Sequence, residues 1–157
     1  MNIETTTCIS LEHFELCKLY ARQYNMSMRT FISALISFSV QWEKVDIKSF
    51  KQLSYRKKGT KWRRLHLVLY EDEYEFFMDV KKVWKMSLAK IIAFCLDNVL
   101  GEFLKILDEM GDDDYTDNYR YSGYTFSVYR EGEIICCQFY WGPHPEIIKK
   151  AKLLGHI

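Results

Sequence analysis

The chain has 157 residues, 48% of them hydrophobic and 16% aromatic, with a formal net charge of +1. That composition supports a packed core and excludes a disordered tail, while the balanced total charge leaves the partner open. No apolar run reaches the ~18 residues of a membrane span, the start lacks a signal-peptide layout, and five cysteines without a C-x-x-C pair argue against a disulfide framework or a zinc site, so a reducing, cytoplasmic setting without a membrane is expected.

Residues Thr5–Ser10 are rich in β-branched side chains and read as a strand. Phe14, Leu16, Cys17, Leu19, Tyr20 and Tyr24 then supply the apolar positions of a helix. Asn25 sits where the chain turns, a place that favours a residue tolerant of the left-handed backbone. Ser27 is the expected N-cap of a second helix, which Phe31, Ile32, Leu35, Ile36 and Phe38 continue. Residues 1–42 thus form one strand–helix–helix segment.

Residues 41–66 hold nine Lys or Arg against Glu43 and Asp46, a balance of +7. The block includes Arg56-Lys57-Lys58 and Lys61-Trp62-Arg63-Arg64, and it suits either a nucleic-acid patch or a solvated linker over residues 43–62. Residues 63–107 then repeat the earlier order. Leu65, Leu67 and Leu69 alternate with Arg64, His66 and Val68, the pattern of a strand with one buried face. Glu71, Asp72, Glu73 and Glu75 crowd a helix start, where the dipole favours acids. Tyr74, Phe77, Met78, Lys81 and Trp84 follow at helical spacing, and Ser87 caps a next helix with the stripe Ile91, Ile92, Cys95, Leu96 and Val99. Gly101 is a weak stop, since Phe103, Leu104 and Leu107 continue that stripe.

Residues 108–119 carry six acids and no base, a balance of −6, and serve as a spacer or fold over the basic ribbon in competition with a polyanion. Two further strands follow, Tyr124–Tyr129 and Ile134–Trp141, with Glu131-Gly132 in the turn between them. Pro145 opens a short helix from Glu146 to about Leu154. Residues 120–157 therefore read as a ββα extension that covers a sheet edge or binds a partner, or else as a vestigial third copy.

The two long segments align when the chain is slid over itself by 60 residues. Asn25-Met26-Ser27 then falls on Lys85-Met86-Ser87, Arg22 on Lys82, Tyr24 on Trp84, Phe31 on Ile91 and Ile32 on Ile92. The stretches from Tyr20 to Ile32 and from Val80 to Ile92 resemble the ribbon-helix-helix family of repressors and antitoxins, with its basic residue, turn, serine and apolar pair. The resemblance covers residues 4–40 and 63–100. Lys85 departs from it, standing where the family has Gly or Asn, and the inward row of the first strand (Thr5, Thr7, Ile9) is poorly apolar.

The resemblance implies a mainly α fold with short β: two ribbon-helix-helix units in tandem plus the C-terminal extension. The two units would pair as an intramolecular pseudo-dimer or pair across chains in a homo-oligomer. It also implies a transcriptional regulator that lays its two-stranded ribbon in the major groove of double-stranded DNA. Base contacts would come from Thr6, Cys8, Arg64 and His66, while Glu4 is an awkward neighbour for phosphates. Phosphate contacts would come from the second-helix starts at Ser27, Met28, Arg29, Ser87, Leu88 and Lys90. Arg56, Lys57, Lys58, Lys61 and Arg63 would add salt-sensitive attraction. No cofactor is implied. The four histidines have no metal-ligand spacing, and no phosphate loop or nucleophile elbow is present, so an enzyme is not expected. The competing expectation is a protein-interaction module that kept the helical fold without binding DNA, which the acidic start of the second copy favours.

Overall fold

The computed structural model describes residues 2–41, 59–110 and 124–141. Met1–Arg120 and Tyr121–Ile157 are separate compact units. The expectations for Arg56-Lys57-Lys58, for the acidic stretch beyond Met110 and for the helix after Pro145 lie outside the described residues. No helix among the described residues is long and apolar enough to cross a membrane.

The first unit contains a strand followed by two helices, β1 (Asn2–Ser10), α1 (Leu11–Gln23) and α2 (Met28–Gln41), and then the same order again, β2 (Trp62–Tyr70), α3 (Glu71–Trp84) and α4 (Leu88–Asn98), with α5 (Leu100–Met110) after them. The local chemistry dictates these boundaries. The Ser10 side chain accepts a hydrogen bond from the His13 amide at 3.0 Å and starts α1. At its other end Asn25 is left-handed (φ 55), while the Met26 and Asn25 amides donate to the carbonyls of Ala21 and Arg22, the paired bonds of a Schellman motif. Ser27 accepts from the Thr30 amide at 3.1 Å, and Ser87 from the Lys90 amide at 3.3 Å. Lys85 takes the left-handed conformation of Asn25 (φ 54), although a Cβ makes that costly.

β1 and β2 pair antiparallel within the chain, from Asn2 opposite Tyr70 to Ser10 opposite Trp62. The central pair is Thr6 and His66, 60 residues apart, the offset of the sequence repeat. The ribbon is therefore centred on a pseudo-two-fold axis that exchanges the two strand–helix–helix segments. Its inner face holds the buried Ile9, Leu65, Leu67 and Leu69 with the half-buried Ile3, Thr5 and Thr7. A two-stranded sheet alone is marginal, and the helices behind it supply the missing burial. Leucines from β2 compensate for the weaker apolar row of β1.

α2 is the central helix, with every residue from Phe31 to Ser39 buried. Phe31 and Phe38 pack on Phe103 of α5 with ring centroids 5.7 and 5.5 Å apart. The buried hydroxyls are satisfied: Ser39 donates to the Leu35 carbonyl at 2.7 Å, and Ser33 donates to a Glu73 carboxylate oxygen at 2.6 Å. Several expected positions shift. Leu19 is exposed, and Ala21 takes its place in the core beside Phe14 and Cys17. In α3 the buried residues are Glu73, Phe76, Phe77 and Val80, so Tyr74 and Met78 stand at the margin of that face. The helix break falls at Val99, with α5 starting at Leu100, so Gly101 does not end the helix, and Asp108 and Glu109 belong to α5. The apolar stripe carries across that break, since Val99, Phe103 and Leu107 are all buried.

The second unit contains the hairpin β3 (Tyr124–Glu131) and β4 (Ile134–Trp141). Gly132, with φ +61 at the first turn position, suits the two-residue II′ turn that matches strand twist. Tyr124, Phe126, Phe139 and Trp141 form one cross-strand aromatic row, with Tyr124–Phe139 centroids at 5.3 Å and Phe126–Phe139 at 5.8 Å. Cys136 and Cys137 are adjacent on β4 and both half-buried.

Candidate nucleic-acid interface

The outward row of the ribbon is Asn2, Glu4, Thr6 and Cys8 from β1, and Trp62, Arg64, His66, Val68 and Tyr70 from β2, all exposed. Pairing sets Cys8 opposite Arg64 and Thr6 opposite His66, so the four residues expected at bases share one face. The His66 ring is oriented by two neighbours. Its Nδ1 lies 2.9 Å from Thr6 Oγ1, and its Nε2 lies 3.9 Å from a Glu4 carboxylate oxygen. The Arg64 guanidinium is a planar fork with donors in fixed geometry. Nine residues per strand give a ribbon of about 30 Å at ~3.3 Å per residue, and a B-form major groove admits a two-stranded ribbon.

The flanking anchors are unequal. In α2 and α4 the serine caps engage the Thr30 and Lys90 amides, and the Ser27 and Ser87 carbonyls engage the Phe31 and Ile91 amides. The amides of Met28 and Arg29, and of Leu88 and Ala89, thus lie ahead of the intrahelical ladder. Met28 is half-buried, the Leu88 side chain is buried, and Lys90 is half-buried. Arg29 differs from expectation. Its Nη1 is 3.4 Å from Glu73 and its guanidinium lies 4.3 Å over the Tyr70 ring, so its charge is committed to the protein's own carboxylate rather than open to a phosphate. Tyr70, Glu71, Asp72 and Glu75 line a shallow acidic depression at that end of the ribbon.

At the other end Lys61 is exposed, and its carbonyl accepts from the Leu11 amide at 2.8 Å. Arg63 occupies an inward register position and escapes burial by laying its guanidinium 4.4 Å over the Phe14 ring. It is exposed but anchored, a weaker candidate for a phosphate than Lys61. Arg56, Lys57 and Lys58 lie outside the described residues. Among the described residues, no group of three or more His, Cys, Asp or Glu side chains is placed to hold a metal ion.

Sequence reasoning missed Trp62, Tyr70 and Asn2 on the outward row. Extending the strict alternation of the leucine strand two residues each way reaches both aromatics. It also missed Glu73, which is only 5% exposed and accepts from the Ser33 hydroxyl and, at 3.0 Å, from the Tyr70 amide. Its run of acids reads as a solvated helix start, and only the crossing of α2 buries one member. No family model, no curated protein and no solved structure matches the chain.

Proposed function

We propose that the chain binds duplex DNA by laying the outward face of the β1–β2 ribbon in the major groove, as a ribbon-helix-helix regulator of the repressor or antitoxin type would. The observation that carries this reading is the gathering of Thr6, Cys8, Arg64 and His66 on one exposed antiparallel face, with a capped second helix behind each strand. Arg64 can donate twice to a guanine, worth about 1–3 kcal/mol of discrimination. His66 and Thr6 supply donors and acceptors at the centre. Lys61 and Lys90 add attraction to phosphates that weakens as salt rises.

Binding to a labelled random-sequence duplex at low and moderate salt tests this, with wild type compared to Arg64→Glu. The expected result is binding that falls steeply with salt and is largely lost in the variant. Absence of binding at low salt would overturn the DNA reading. The acidic depression at the Tyr70 end, beside the exposed Val68 and Tyr70, would then favour a protein partner on the same face.

A further inference from the structure

We infer that the duplex site this ribbon recognises is not a palindrome, and that Glu4 and Arg64 together break its symmetry. The inference rests on the DNA reading above and deepens it. The pseudo-two-fold axis through the Thr6–His66 pair exchanges residues 60 apart. On the outward row it exchanges Asn2 with Trp62, Cys8 with Val68, and Glu4 with Arg64. The backbone is thus symmetric while the chemistry that faces the groove is not, and at one position the charge is reversed.

A palindrome presents the same base edge to both members of an exchanged pair. The major-groove edge of guanine offers only acceptors, N7 and O6, which suit the Arg64 guanidinium and repel a carboxylate. Cytosine offers the N4 amino donor, which suits Glu4. The site that satisfies both therefore carries guanine to Arg64 and cytosine to Glu4. Since cytosine pairs with guanine, one DNA strand then bears guanine at both related positions, where a palindrome would bear guanine at one and cytosine at the other. Both side chains have room to reach a base: Glu4 is 72% exposed, with His66 at 3.9 Å from its carboxylate, and Arg64 is exposed.

The helix starts reinforce the polarity. The axis exchanges Thr30 with Lys90 and Arg29 with Ala89, and Arg29 is committed to Glu73 and Tyr70. Phosphate attraction is consequently stronger at the α4 side than at the α2 side.

Selection of bound duplexes from a random library by the full chain, with stoichiometry measured by sedimentation on the selected duplex, tests the inference. One chain per site and guanine on the same strand at the two related positions are expected. Converting that site to a palindrome should weaken wild-type binding roughly 5- to 150-fold, the equivalent of one lost base discrimination. Glu4→Arg, at an exposed position, should reverse the preference and favour the palindrome. Selection of a palindrome, two chains on one site, or an unchanged preference in Glu4→Arg would overturn the inference while leaving DNA binding in place. Failure to retain any duplex would remove the DNA reading itself.

Discussion

The two strand–helix–helix copies share their element order, turns and caps and differ in the side chains they turn outward. Asn25 and Lys85 have φ of 55 and 54, Ser27 and Ser87 cap equivalent helices, and β1 and β2 start and stop in register. Yet Glu4 stands opposite in charge to its equivalent Arg64, and His13 stands where the other copy has Glu73. The difference teaches which positions hold the fold. Caps, turns and inward apolar sites define the path of the chain, while outward sites carry no such constraint and take on separate chemistry.

Thiol reactivity gives the largest expected contrast, and it asks whether the copies share one core. Cys17 of the first copy and Cys95 of the second are buried, and burial pushes both thiols up to about 12, whereas Cys8 is exposed on the ribbon. At pH 8 a thiol reagent should label Cys8 in the native protein and reach Cys17 and Cys95 only through unfolding. Mass spectrometry across a urea titration should show both becoming reactive at one midpoint; separate midpoints would show that the copies unfold independently. Above pH ~9 the unfolded thiols ionise while the folded ones stay protonated. The unfolded state then binds fewer protons, and stability falls as pH rises from there.

The equivalents Glu73 and His13 should separate by a smaller amount. Each reaches from the first helix of one copy to the second helix of the other, Glu73 to Ser33 and Arg29, and His13 to Asp97 at 2.8 Å. Glu73→Ala orphans a buried hydroxyl and the Tyr70 amide and should cost about 1–3 kcal/mol. His13→Ala removes a contact to the half-exposed Asp97 and should cost under ~1 kcal/mol. Equal losses in urea denaturation would sink the claim that this clasp is one-sided.

The smallest effect concerns the turns. Lys85→Gly should stabilise by up to ~1 kcal/mol, because glycine adopts the left-handed conformation without a Cβ clash. Asn25→Gly should change the melting temperature less, since asparagine already tolerates that backbone. A larger gain at Asn25 than at Lys85 would refute the difference.

Much of this was legible without coordinates. The leucine alternation marks β2, the serines mark the second helices, and the 60-residue offset marks the duplication, because these signals depend on neighbours within a few residues or on a pattern that repeats. Thr6, Cys8, Arg64 and His66 were assignable to an outward row for the same reason: a strand alternates. Arg29 was not readable as a committed charge. Its partners, Glu73 and Tyr70, are more than 40 residues away in sequence, and nothing local distinguishes it from an open cation.

What the sequence by itself determined is the local grammar of caps, turns, apolar faces and the repeat, since short-range sterics and burial periodicity act within each segment. Tertiary structure alone decided which strand each edge pairs with, which acid of the Glu71–Glu75 cluster is buried, and where the pseudo-two-fold axis falls. Those outcomes depend on distant segments meeting. An unpaired strand edge must find hydrogen bonds, and a buried carboxylate must find donors, wherever the fold brings them.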